Sequence, residues 1–268
     1  MDIKKYMANE NEKPLDNIVD DGGFCAIFRS IACIGDSLAS GEFEVAHPDG
    51  TRSYYDVFPH SWGQYIARMT GATVYNFSRG GMTAHEYLDS FAENNGMWNA
   101  AKQAECYIIA LGVNDIINQG IPVGDISDVD LSDWRNNNPD TFAGRYAQII
   151  QRYREIAPDS PFFLVSMPRR RDPFWHESWN ELARKQSELL NSLAKLFPNT
   201  YVIDLYSYAP LYDEEFYRNF FLGGHLTPTG YLLSAKMIAS YIDYIIRNNP
   251  DAFKNVGLIN VPIEAKLF

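Results

Sequence analysis

The sequence predicts an α/β protein of three layers, with a doubly wound, mostly parallel sheet of five strands between two layers of helices. Two observations carry this. Five short apolar runs recur without polar alternation, as strands buried on both faces do. Between them lie longer segments whose apolar residues step by three and four, as amphipathic helices do. Right-handed crossovers then make the sheet parallel. No repeat, low-complexity tract or linker interrupts the 268 residues, so a single domain is expected over residues 1–268.

The elements follow in order. Met1 to Asp21 is polar and charged and reads as an extended or loosely packed arm, closed by the turn signal Asp20-Asp21-Gly22-Gly23. Ser30 to Ile34 is the first strand. Gly41 to Pro59 carries Gly, Pro and several aromatics and reads as a loop or small hairpin at the edge of a site. Ser61 to Met69 is a helix that Gly71 stops. Thr73 to Phe77 is the second strand, Thr83 to Ala92 a short helix, and Cys106 to Leu111 the third strand. Ile117 to Asp140 is rich in Asp, Asn, Gly and Pro and reads as a long inserted loop, a feature usually functional or disordered. Phe142 to Ile156 is a helix, with Tyr146, Ile149, Ile150 and Tyr153 on one face. Pro161 to Met167 is the fourth strand, Ser178 to Leu196 a helix, and Tyr201 to Leu205 the fifth strand. Thr229 to Ile246 is the last helix, with Thr227 and Pro228 at its start.

Composition narrows the function. A net charge of -11 repels phosphates and argues against nucleic-acid binding and against docking on an anionic membrane. No apolar run is long enough to span a bilayer. The start of the chain lacks the apolar core of a signal peptide, so the chain as written reads as cytoplasmic. Three cysteines, Cys25, Cys33 and Cys106, suggest no disulfide framework. The histidines are scattered and no cysteines are paired, so neither a metal nor another cofactor is expected. No Gly-x-Gly-x-x-Gly follows the first strand, which disfavours a dinucleotide-binding protein.

Four blocks carry the chemistry, each expected just after a strand-like apolar run. They are Ile34-Gly35-Asp36-Ser37-Leu38, Asn76-Phe77-Ser78-Arg79-Gly80-Gly81, Leu111-Gly112-Val113-Asn114-Asp115 and Gly224-His225-Leu226-Thr227-Pro228. They supply a hydroxyl (Ser37), a backbone N–H beside glycine (Gly81), a side-chain amide (Asn114) and an imidazole (His225). Those groups can attack an acyl carbon and hold the oxyanion that forms. Each has a bland reading too: Ser37 as a helix cap, Gly81 as a turn glycine, Asn114 as a turn former, His225 as a structural histidine. In a parallel sheet, positions that follow strand ends converge on one edge.

The order Ser, Gly, Asn, His, from about Ile31 to Thr229, resembles the GDSL/SGNH hydrolase family. The resemblance implies a flavodoxin-like fold and a serine esterase working through an acyl-enzyme. It also implies that Ser37 is the nucleophile and His225 the base, with Gly81 and Asn114 as oxyanion donors. Gly81 is preferred to Gly80 on comparison with the family.

One position departs from the pattern. The family usually has Asp three residues before the histidine, and this chain has Leu222. Either the Leu222 carbonyl or a carboxylate from Asp213, Glu214, Glu215, Glu42 or Glu44 is then expected to hold Nδ1–H. The substrate is expected to be a small ester. The aromatic loops, with Tyr54, Tyr55, Trp98 and Trp134, suit an acetylated carbohydrate, and Arg169-Arg170-Arg171 reads as a site rim or a solvated turn. A lipase or thioesterase of the same family, or a non-catalytic binding protein on the same scaffold, is the alternative. The oligomeric state is left open.

Overall fold

Five parallel strands form the central sheet of the computed structural model, which describes residues 3–261. The elements that position the site are β1 (Ser30–Gly35), α1 (Ser37–Ser40), β2 (Glu42–Ala46), β3 (Arg52–Asp56), α2 (Trp62–Thr70), β4 (Thr73–Ser78) and β5 (Cys106–Ala110). After them come α3 (Phe142–Ile156), β6 (Phe162–Val165), α4 (Trp179–Leu196), β7 (Thr200–Ile203) and α5 (Pro228–Asn248). The central sheet has the order β4-β1-β5-β6-β7, the doubly wound arrangement expected. Each strand lies within two residues of its expected bounds at either end.

The strands alternate between two cores because successive side chains point to opposite faces. Ile31 and Cys33 face α2 and α5, where Trp62, Ile66, Ile238 and Ile242 cover them. Ala32 and Ile34 face the other way, toward Tyr146, Ile150, Leu190 and Leu193. Both layers are dry, so the strands need no polar face. Cys25, Cys33 and Cys106 are free and fully buried. Burial pushes the Cys25 thiol up to about 12, and the same cause raises the other two, so these thiols are inert packing groups.

Local signals set the helix ends. Ser61, Thr141 and Thr227 each accept a hydrogen bond from the backbone N–H three residues on, at 3.2, 3.1 and 3.2 Å. Pro228 begins α5, one residue before the expected start. The expected helix over Thr83 to Ala92 is broken in type: Ala84–Glu86 is α, Tyr87–Phe91 is a π turn and Ala92–Asn94 is α again. Residues 119–140 hold two short helical turns, Ile126–Asp128 and Trp134–Asn137. Asp125 and Asp130 organise them by accepting N–H bonds from Ser127 and Ser132, each at 2.7 Å. Among the described residues no helix is long and apolar enough to cross a membrane.

The arm before β1 lies along α5 and is tied to it. Val19 N–H donates to Ser240 Oγ at 2.9 Å, and Phe24 N–H to Asp243 Oδ1 at 2.8 Å. Arg247 binds Asp243 through Nε at 2.7 Å and Glu12 through Nη1 at 2.9 Å, and all three groups are almost dry. Arg247 holds the Glu12 carboxyl below its ordinary value. Arg247→Ala leaves two carboxylates without their cation. Urea denaturation is expected to show a loss of about 3–5 kcal/mol; a loss below about 1 kcal/mol would show that the arm is held by other contacts.

Candidate active site

Register brings the three strand-end residues together. Gly35 is level with Ser78 on one side and with Ala110 on the other. The chain therefore leaves β1, β4 and β5 at one edge, and Ser37, Gly81 and Asn114 follow within a few residues. The histidine arrives differently. A tight antiparallel pair, Phe221–Leu222 with His225–Leu226, turns through Gly223-Gly224 just ahead of α5. Thr227 N–H donates to the Phe220 carbonyl at 2.8 Å, and Tyr217 Oη donates to the Gly223 carbonyl at 2.8 Å. Ser37, Gly81, Asn114 and His225 thus line one open cleft of about 680 Å³.

The Ser37 side of the cleft is ordered by local bonds. Asp36 caps α1 by accepting from Leu38 N–H at 3.0 Å, which leaves Ser37 as the first helical residue. Gly35 must be glycine, since a Cβ there would lie 2.5 Å from the Ala39 Cβ and 2.9 Å from the Ala110 oxygen. Gly81 has φ 72°, in the left-handed region. Gly80 N–H is taken by Asp56 Oδ2 at 3.3 Å, while no hydrogen bond joins the Gly81 N–H to a described residue. The Asn114 amide is fixed at both ends. Its Oδ1 accepts from Asn118 at 2.8 Å, and its Nδ2 donates one hydrogen to the Met82 carbonyl at 3.1 Å. The second hydrogen of Nδ2 remains for the cleft. Below it, the buried Gln186 ties two strand-end loops together, donating to the Leu111 carbonyl at 2.9 Å and accepting from Met167 N–H at 2.8 Å.

The histidine side is built by the hairpin β2–β3. Residues 42 and 44 share one face of β2, so both carboxylates point at the cleft. Phe43 points the other way and packs edge-on against Tyr231 and His60, each with ring centroids 5.8 Å apart. Glu42 Oε1 lies 2.9 Å from His225 Nε2. Glu44 Oε2 lies 3.6 Å from His225 Nδ1, accepts from Gly224 N–H at 2.7 Å, and its Oε1 pairs with Arg52. Tyr54, opposite Glu44, presents its ring edge-on to the imidazole with centroids 5.7 Å apart. Nδ1 of His225 is buried with no hydrogen-bond partner among the described residues. No hydrogen bond joins the Ser37 hydroxyl to the imidazole either; Glu42 Oε1 stands beside Nε2.

Burial governs the charges here. It pushes Glu42 up to about 7, helped by the carboxylates of Asp56 and Glu44. It holds His225 below its ordinary 6.5, against the opposing pull of Glu44 and Asp56. Asp36 rises to about 7 and Asp115 to about 6, again from burial first. Below about pH 7 the Glu42 carboxyl beside Nε2 is therefore mostly protonated. Among the described residues no group of His, Cys, Asp and Glu is placed to hold a metal ion.

The acceptors considered for Nδ1 sort out by position. The Leu222 carbonyl makes no bond to it. Asp213 caps the following helix through Phe216 N–H at 3.0 Å, and Glu214 and Glu215 are exposed. Glu42 meets the other nitrogen. Of the aromatics expected near the substrate, only Tyr54 lines the cleft. Trp98 packs on Tyr153 with centroids 4.6 Å apart, Trp134 lies under Arg135, and Tyr55 sits on the far face of the hairpin. Phe174, Trp175, Trp179 and Tyr217 line the cleft instead. The signal for Phe174, Trp175 and Trp179 was the aromatic run that follows the fourth strand, at the same sheet edge as Ser37. Of the basic run only Arg170 reaches the cleft, where Asp172 binds its Nε at 2.8 Å and Trp175 and Phe221 stack on its guanidinium.

Comparison with known proteins agrees with this architecture. The model of the GDSL-like lipase/acylhydrolase family matches residues 33–233. No curated protein matches the chain at the sequence level. Among solved structures, a family two carbohydrate esterase from Clostridium thermocellum in complex with cellohexaose is similar at TM-score 0.53 and 15% identity, over 88% of this chain and 66% of that one. A family 3 carbohydrate esterase from the same organism gives 0.52 and 15%, over 81% and 96%. A carbohydrate acetylesterase from Sinorhizobium meliloti gives 0.53 and 14%, over 81% and 99%. At such identities these likenesses speak for the fold alone.

The Glu42 contact has a pH consequence. In the tautomer that leaves Nε2 as an acceptor, a neutral Glu42 below about 7 is a donor that occupies it, and an ionised Glu42 above that pH is not. The rate constant kcat/KM for an aryl acetate is expected to rise through about pH 7. Glu42→Ala should move that midpoint below 6.5, where the imidazole alone titrates. An unmoved midpoint would mean that Glu42 does not occupy the nitrogen in solution.

Proposed function

Because the chain belongs to the GDSL-like lipase/acylhydrolase family and is a hydrolase of ester bonds, we propose that Ser37 is its nucleophile and that an acyl-enzyme forms on it. Ser37 Oγ attacks the acyl carbon while His225 Nε2 takes its proton, once Glu42 has swung away. The oxyanion is held by the N–H groups of Ser37 and Gly81 and by Asn114 Nδ2. The tetrahedral intermediate collapses and the imidazolium protonates the departing alcohol. Water then attacks the acyl-enzyme along the same route, with His225 again as base. The single observation that carries the reading is the meeting of these four residues in one cleft.

The substrate proposed is an acetyl ester of a carbohydrate. The cleft is open and rimmed by Tyr54, Phe174, Trp175, Trp179 and Tyr217, with Glu42 and Glu44 on one wall. Flat aromatic faces suit the apolar faces of sugar rings, and carboxylates suit their hydroxyls. One observation favours a second reading, an ester with a longer acyl chain. An apolar cavity of about 120 Å³ lies behind the cleft and shares Leu38, Val113, Arg170 and Trp175 with it.

Ser37→Ala and His225→Ala are each expected to lower turnover of an aryl acetate by roughly 10³-fold or more, and wild-type rates in either variant would end the assignment. Asn114→Ala is expected to cost about 2.7–4 kcal/mol in the barrier. A panel of acetylated saccharides set against aryl esters of rising acyl length separates the two substrates. Preference for longer chains would favour the apolar cavity.

A further inference from the structure

We propose that Glu44, on the hairpin that follows the nucleophile, is the positioning residue for His225 and stands in for the aspartate that this chain lacks. The inference rests on the reading of His225 as the general base.

Three observations support it. First, the imidazole needs an acceptor at Nδ1. That nitrogen is buried and unpartnered. A buried ring N–H left unpaired costs about 1–3 kcal/mol. An acceptor there favours the tautomer in which Nε2 is free to take the serine proton. Second, Glu44 Oε2 is the carboxylate oxygen on that side, 3.6 Å away, so a small rotation of either side chain makes the bond. The other acceptors are spent or turned elsewhere, as described above. Third, Glu44 is held in place. Its carboxylate nests against Gly223 and Gly224, where it accepts the Gly224 N–H at 2.7 Å. A Cβ on Gly223 would lie 2.4–2.5 Å from that carboxyl group, and Gly223 has φ 64°. The double glycine of the histidine turn therefore does for Glu44 what a side chain there would prevent. Arg52 binds the other oxygen and so fixes the carboxylate from its far side.

In the reaction Glu44 moves no proton. It accepts Nδ1–H throughout, and its charge stabilises the imidazolium that forms when Nε2 takes the serine proton. Glu42, Glu44, Arg52 and Tyr54 of the hairpin share the cleft with His225, and Glu44 and Asp56 favour its charged form. Tyr217 and Arg170 face the same cleft from the other wall.

Two substitutions test this in opposite directions. Glu44→Gln keeps the shape and an oxygen for Gly224 N–H but removes the charge. It should lower kcat for an aryl acetate roughly tenfold or more with KM nearly unchanged, and lower the His225 pKa read by NMR of the labelled imidazole. Arg52→Met removes the cation that shares the carboxylate, and should raise that pKa. A residue that only supported the fold would not move one titration in two directions. If Glu44→Gln keeps both kcat and the imidazole pKa, or if Arg52→Met lowers that pKa, the inference is overturned. Should Glu44→Gln fail to fold, the labelled imidazole of the unaltered protein decides: an Nδ1–H tautomer is expected, and an Nε2–H tautomer overturns the inference. Failure of the underlying reading looks different: His225→Ala or Ser37→Ala would then keep the wild-type rate.

Discussion

A parallel sheet buried on both faces dictates most of this molecule. Such a sheet has no polar face to spend on chemistry, so functional groups must sit where the strands end. In parallel strands all the carboxyl ends lie at one edge. The level register of Gly35 with Ser78 and Ala110 makes that edge sharp. Three loops then open onto one cleft, and each needs only a few residues to bring Ser37, Gly81 or Asn114 there. The imidazole is the exception. It comes from a turn stapled to the last helix, and its placement depends on apolar packing of Leu226 and Tyr231 into the core.

Bringing an imidazole to the edge of an apolar core also brings an electrostatic problem. Burial works against the imidazolium, and the chain answers with acidic groups from one hairpin rather than from the histidine's own turn. Glu42, Glu44 and Asp56 press together there, and their mutual repulsion is relieved in two ways. Arg52 binds Glu44, and burial keeps Glu42 protonated up to about 7. The two carboxyls of β2 thus behave differently although they are two residues apart. One has a cation and a backbone N–H, and the other faces a ring nitrogen.

Much of the fold was legible in the sequence. The five strands are apolar without alternation, and the caps Ser61, Thr141 and Thr227 announce their helices. The four blocks of the site were legible because each follows an element end. Less was legible where tertiary packing decides. Leu222 signalled that an acid was missing, but six possible acceptors lay in three stretches of chain, and only the hairpin's path over the site separates Glu44 from the rest. Trp98 read as a loop aromatic suited to a sugar ring, yet it packs beside Tyr87 and Tyr153. The cleft aromatics Trp175 and Trp179 precede or open a helix whose apolar stripe draws the eye elsewhere. Only the resemblance to the family favours Gly81 over Gly80 in the sequence, and in the structure the Asp56 carboxylate on Gly80 N–H makes their surroundings differ.

Strand β2 carries Phe43 inward and its two flanking acids outward. Because pleating alternates sides, a slip of the hairpin by a single residue would exchange them, stranding a benzyl group in water and forcing carboxyls against Tyr231. The greasy contact is thus a proofreader for the polar one. Whatever fidelity the interior demands of its aromatic neighbours is inherited, at no added expense, by the alignment of the imidazole.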